Sequence, residues 1–172
     1  MTPQEFLACG DIDSAIWSVE RSEAAGLVSS ALRQGVITFD ALRPHLLTLW
    51  QSTDYPCRRL PPATWLEWFR RAGLRMPLLP SRPIRAWRAQ VGDAPGLSWT
   101  YDREVAERFH GVNVSRAYDA ARLLEAIIPA HASVAHLPDP EHELIVDPSA
   151  LQYVLSACCY SLAMSSTRLR SA

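Results

Sequence analysis

The sequence predicts an α+β protein, with a helical N-terminal half followed by a half built from short strands and one clear helix. Three observations carry this. Apolar residues recur at helical spacing from residue 3 to about residue 75. The segment PLLPSRP, residues 77–83, then places three prolines in seven positions and changes the texture of the chain. Beyond it the apolar runs shorten to strand length. The expected division is a helical region over 1–76 and a second region over 77–172 that closes with a C-terminal helix.

In the first region Phe6, Leu7, Ile12, Ile16 and Trp17 share helical intervals, followed by Ala24 to Leu32, Phe39 to Trp50, and Trp65 to Ala72. Thr38 and Thr64 are N-cap residues by type and position, Gly73 is a C-terminal stop, and Pro44 marks a kink or a new first turn. QSTDYPCRRLPP, polar and proline-bearing, reads as a loop. Trp17, Trp50, Trp65 and Trp68 read as core, since bulky aromatics at helical spacing bury large apolar area. In the second region strands are expected at Ile84 to Gln90, Leu97 to Tyr101, Leu123 to Ile128 and Leu144 to Val146. DREVAERFHG is a helix capped by Asp102 and stopped by Gly111, and Asp147-Pro148-Ser149 opens a last helix near ALQYVLSACCYSLAM.

Composition bounds the function. With 172 residues, 48% hydrophobic and 20% charged, the chain supports one sizeable core. A net charge of −1, from 17 basic and 18 acidic residues, argues against non-specific binding of duplex DNA. Every basic residue is arginine, a compositional bias from which no function is read. No apolar run approaches the roughly 20 residues that span a bilayer, and MTPQEFLACGDID lacks a basic stretch followed by an apolar one. An intracellular, cytoplasmic protein without membrane association is expected. Cys9, Cys57, Cys158 and Cys159 lack C-x-x-C spacing and are expected to be reduced and partly buried, with no metal bound.

Three segments carry chemistry. In EHELIVDP, Glu141 and Glu143 flank His142 at the start of an apolar strand, and extended backbone would send both carboxylates to one side. Like charges that close raise one pKa unless a cation or solvent offsets them. In GLSWTYDREVAERF, Ser98 and Thr100 occupy one strand face and Trp99 the other, immediately before the capped helix. In IRAWRAQ, Arg85 and Arg88 stand among apolar residues, where a guanidinium fork seeks a carboxylate or phosphate.

In this order, an arginine strand, an SWT strand with its A-x-x-F helix, and an E-x-E strand ending in V-D-P, the segments resemble the ADP-ribosyltransferase family, in its Arg-Ser-Glu branch. The resemblance covers roughly residues 84–151 and leaves the helical half unmatched. It implies a compact ADP-ribosyltransferase-like split β-sheet core and an NAD-dependent mono-ADP-ribosyltransferase. Such an enzyme cleaves the nicotinamide–ribose bond of NAD and transfers ADP-ribose to a macromolecular acceptor. By position, Arg88 resembles the strand arginine that grips NAD, with Arg85 as the second choice. Ser98 resembles the serine that holds the catalytic glutamate, supported by Thr100. Glu143 resembles that glutamate, and Glu141 the upstream one that orients or deprotonates a guanidinium acceptor.

Trp87, Trp99, Tyr101 and Phe109 are candidates for the aromatic wall of the nicotinamide, of which Trp99 and Phe109 are assigned to the NAD-binding set with Arg88, Ser98 and Thr100. The chain departs from the family at Ala89, where glycine is common, and in the nine residues between Arg88 and Ser98. The implied partners are NAD, a protein acceptor ahead of a nucleic acid, and an antitoxin or immunity protein if the chain is a toxin or effector. An NAD glycohydrolase with the same residues, and a non-catalytic module that keeps the fold, are the alternatives.

Overall fold

Short helices occupy the first 73 residues of the computed structural model, which describes residues 1–73, 82–92, 96–116, 121–137 and 141–151 and the backbone of 154–156. The chain divides into two units, Met1–Leu74 and Arg75–Ala172. In the first, helix α1 (Pro3–Ala8) begins with a reciprocal cap: Glu5 N–H donates to Thr2 Oγ1 at 3.2 Å and Thr2 N–H donates to Glu5 Oε2 at 2.6 Å. Asp11 caps α2 (Ile12–Trp17), α3 runs Ala24–Arg33, and Thr38 caps α4 (Phe39–Leu42) as its residue type predicts. Pro44 sits in a 3-10 turn, Arg43–His45, that leads into α5 (Leu46–Ser52). Helix α7 (Pro62–Ala72) starts two residues before Thr64, because Pro62 supplies the first turn, and ends on Gly73 at φ 64°.

Trp50, Trp65, Trp68 and Phe69 form the aromatic centre of this unit, with Trp50 and Trp65 edge to face at 5.0 Å. Two expectations are corrected. Trp17 is 64% exposed, because α2 ends at that residue and turns the ring outward. The expected loop contains a helix, α6 (Pro56–Arg59), entered through Tyr55 at φ 50°. Cys9 is exposed and Cys57 half-buried, both as free thiols, while Cys158 and Cys159 lie outside the described residues.

Among the described residues the second unit is an antiparallel sheet with one long helix, so the molecule is mixed α+β. Its elements are β1 (Ile84–Val91), β2 (Ser98–Thr100), α8 (Arg103–Ser115), β3 (Ala121–Ile128), β4 (Ser133–Leu137), β5 (Glu143–Val146) and β6 (Val154–Ser156). The strands lie in the order β4-β5-β2-β1-β3-β6, every neighbouring pair antiparallel. Among the described residues this is one hydrogen-bonded sheet, not a split one. One face carries a core of Ala86, Trp99, Leu124, Ala126, Ile128, Leu144 and Val146.

Three local expectations change here. Strand β4 was not expected: all five of its residues are buried, so SVAHL shows no polar alternation to read. Helix α8 passes through Gly111 and ends at Ser115, since Gly111 adopts ordinary helical backbone rather than the positive φ of a stop. Asp147 caps only a 3-10 turn, Pro148–Ala150, and residues 154–156 pair with β3 as a strand where a helix was expected. The rest of that expected helix lies outside the described residues. No described helix is long and apolar enough to cross a membrane.

Candidate active site

Strand register decides which side chains meet. Glu125 of β3 pairs with Trp87 of β1, Trp87 with Thr100 of β2, Thr100 with Glu143 of β5, and Glu143 with Leu137 of β4. Directly opposed residues of antiparallel strands project to the same side, so these five positions form a single row across one face. Ser98, two residues from Thr100, shares that face. Glu143, Thr100 and Ser98 are thereby brought together. Glu143 and Thr100 are buried, at 8% and 7% exposure, and Ser98 is half-buried.

The segment before Glu143 is held by β2 and the residue after it. Thr100 Oγ1 donates to the Glu141 carbonyl at 2.8 Å and accepts from Asp102 N–H at 3.0 Å. Tyr101 N–H donates to the His142 carbonyl at 3.4 Å. Consecutive residues of one strand end therefore hold consecutive residues of the other segment. Asp102 then starts α8 by accepting from the amides of Glu104 and Val105.

The paired carboxylates are not arranged as extended backbone would arrange them. His142 has φ 49°, the left-handed region, so the chain turns between Glu141 and Glu143. Glu141 is half-buried in the turn before the strand, and Glu143 is the first residue of β5. The expectation of two carboxylates projecting together from one strand is corrected for that reason.

Arg88 does not join this face. Its neighbour Trp87 is in the Glu143 row, and side chains alternate along β1, so Arg88 lies on the opposite side with Trp99. Its guanidinium donates from Nε to Gln90 Oε1 at 2.6 Å and from Nη1 to the Ser98 carbonyl. A Cβ at Gly96 would meet this guanidinium, the movable end of the Arg88 side chain. Trp99, 1% exposed, is core and donates from Nε1 to the Gly96 carbonyl at 3.1 Å. Both are therefore corrected as direct NAD contacts from the sheet face of Glu143. Arg85 does share that face, where it pairs with Glu125 at 3.3 Å, and Glu125 also accepts from Trp87 Nε1 at 3.2 Å. Phe109 lies on α8, 40% exposed, and does not belong to the row.

No family model, curated protein or solved structure matches this chain. The site therefore rests on its own geometry.

An open depression beside the row is lined by Trp87, Tyr101, Asp102, Arg103, Glu104 and His142. It holds two aromatic side chains, a histidine, an arginine and two acids, a set able to receive a planar heterocycle and a charged group together. Glu143 does not line it; His142, its neighbour in sequence, does. Tyr101 and His142 of this lining form a cluster with His136 of β4. The Tyr101 hydroxyl is 3.0 Å from His142 Nδ1 and 3.3 Å from His136 Nε2, with ring centroids 5.0 and 5.5 Å apart. Burial, and then the nearness of His142, push the His136 pKa below its ordinary value, which favours the neutral ring. Sequence reasoning named Tyr101 only as an aromatic wall and missed His136 and Glu125. Neither carries a local signal, because β4 and β3 bring them in through pairing alone. Among the described residues no three His, Cys, Asp or Glu side chains form a metal-holding group.

Proposed function

We propose that the second unit is an ADP-ribosyltransferase-like core that uses NAD as substrate, breaks its nicotinamide–ribose bond and transfers ADP-ribose to a macromolecular acceptor. The observation that carries the reading is the pairing of Thr100 with Glu143, with the Thr100 hydroxyl holding the carbonyl of Glu141. It supports the order of motifs seen in the sequence with a carboxylate fixed on a strand beside its hydroxyl-bearing neighbour.

In this reading Glu143 stabilises the positive charge that develops on the ribose as nicotinamide leaves with the bonding electron pair. The acceptor nitrogen then attacks the anomeric carbon, and its proton passes to Glu141 when the acceptor is an arginine side chain. Trp87, in the Glu143 row and in the depression, takes the place of Trp99 as the aromatic wall. Arg85 and Arg103, on the Glu143 face and in the depression respectively, are the groups assigned to the NAD phosphates in place of Arg88. Water as acceptor would make the same site a glycohydrolase. A toxin or effector role, with a neutralising partner protein, belongs to the same reading.

A second reading, a non-catalytic module that keeps the fold, is favoured by two observations: Arg88 is turned to the core face and Glu143 is buried. Nicotinamide release from NAD by the purified protein, measured beside Glu143→Ala, decides between them. Release that vanishes in the variant supports the enzyme. No release, together with no NAD binding by calorimetry, supports the module.

A further inference from the structure

The left-handed backbone of His142 needs a cause. Among the described residues only Tyr55 and His142 adopt positive φ without being glycine, and such a conformation persists only where its surroundings hold it. At His142 itself, Tyr101 supplies two bonds. Tyr101 bonds the His142 carbonyl through its amide and the His142 ring through its hydroxyl, and the same hydroxyl reaches His136 on β4.

The direction of these bonds follows from burial. His136 Nδ1 is buried with no hydrogen-bond partner among the described residues. An unpaired buried N–H costs more than an unpaired acceptor, so the proton belongs on Nε2, where it donates to the Tyr101 oxygen. Tyr101 O–H is then directed to His142 Nδ1, which accepts. A single chain of donation, His136 to Tyr101 to His142, ties β4, the end of β2 and the turn before β5 together.

We propose that Tyr101 is a positioning residue for Glu143: through its bonds to His142 and His136 it locks the left-handed turn from which Glu143 enters β5. This rests on the reading of Glu143 as the catalytic carboxylate. Tyr101 acts through His142 and needs no contact with the reacting atoms. The charged and titratable groups around the lock are Glu141 and Glu143 on either side of His142, His136 from β4, and Asp102, Arg103 and Glu104 at the start of α8. A proton on His142 Nδ1 would replace that acceptor by a donor and break the chain of donation, whereas a proton on His136 Nδ1 leaves its Nε2–H donating to Tyr101.

Two measurements on the full chain test it. In imidazole and backbone NMR without NAD, His136 carries its proton on Nε2 and His142 accepts at Nδ1; in Tyr101→Phe, His142 loses that preference and the amide signals of His142 and Glu143 move. In nicotinamide release from NAD, Tyr101→Phe lowers kcat by on the order of tenfold to a hundredfold, a larger factor than any change in KM for NAD, as misplacement of a catalytic group does. His142→Gly, which accepts the left-handed backbone and removes the ring, shows the same kcat loss and covers the case in which Tyr101→Phe fails to fold. Unmoved Glu143 signals in Tyr101→Phe, or wild-type kcat in His142→Gly, overturn the proposal. A wild-type protein that releases no nicotinamide overturns the transferase reading, and the NMR arm then still decides whether Tyr101 holds the turn.

Discussion

Thr100 has one hydroxyl and uses it as donor to Glu141 and acceptor from Asp102, so it joins β2, the turn before β5 and the start of α8 at a buried point. Thr100→Val keeps the shape and leaves both groups unpaired; it should lower stability by about 1–3 kcal/mol in urea unfolding. Glu143→Gln preserves size but replaces one acceptor oxygen by a donor amide and removes the charge, and nicotinamide release should fall on the order of a hundredfold to a thousandfold with the circular dichroism spectrum unchanged. Trp99→Ala empties a core position and should cost about 3–5 kcal/mol, a loss of stability in place of the NAD-binding defect that its sequence role implied. Arg88 makes the same point by parity. The sequence shows an arginine beside a tryptophan in a strand, but which of the two faces Glu143 depends on whether Trp87 or Arg88 pairs with Thr100. Arg88→Ala should therefore reduce the urea midpoint and leave KM for NAD unchanged.

At the scale of elements, local chemistry was legible wherever a single residue decides a boundary. Thr38 and Asp102 cap the helices they precede because a side-chain oxygen satisfies an amide that the helix leaves open. Gly73 closes α7 because its φ of 64° is open to glycine at little cost. Gly73→Ala should accordingly destabilise the first unit by about 1–2 kcal/mol, read as a lower melting temperature. Gly111 shows the limit of the same reasoning, since a glycine within a helix has the residue type of a stop without its backbone. Strand β4 was hidden for a different reason: it is covered on both faces, and a strand buried on both faces loses the alternation by which strands are recognised. Residues 154–156 read as helix from an apolar run, and pairing with β3 made them strand.

For the whole molecule, His136 couples stability to pH. Its pKa is lowered in the folded protein, so the unfolded chain binds the proton more readily and stability rises with pH across that interval. The contribution is complete above about pH 6.5, the ordinary histidine value, and is lost as pH falls through the lower folded value. Urea unfolding of wild type and His136→Gln from neutral pH to about pH 5 checks this: the wild type should lose stability more steeply on the acid side, and equal slopes would remove His136 as the cause. By itself the sequence determined the α+β class, the caps at Thr38, Asp102 and Gly73, and most strands, because each follows from the period of apolar residues or the chemistry of one side chain. Only the tertiary structure decided that Thr100, Trp87, Glu125 and Glu143 share a row, that Arg88 and Trp99 turn away from it, and that His136 reaches Tyr101. Those are consequences of strand register, and register is set by which strands pair across long stretches of chain, a choice that no local spacing records.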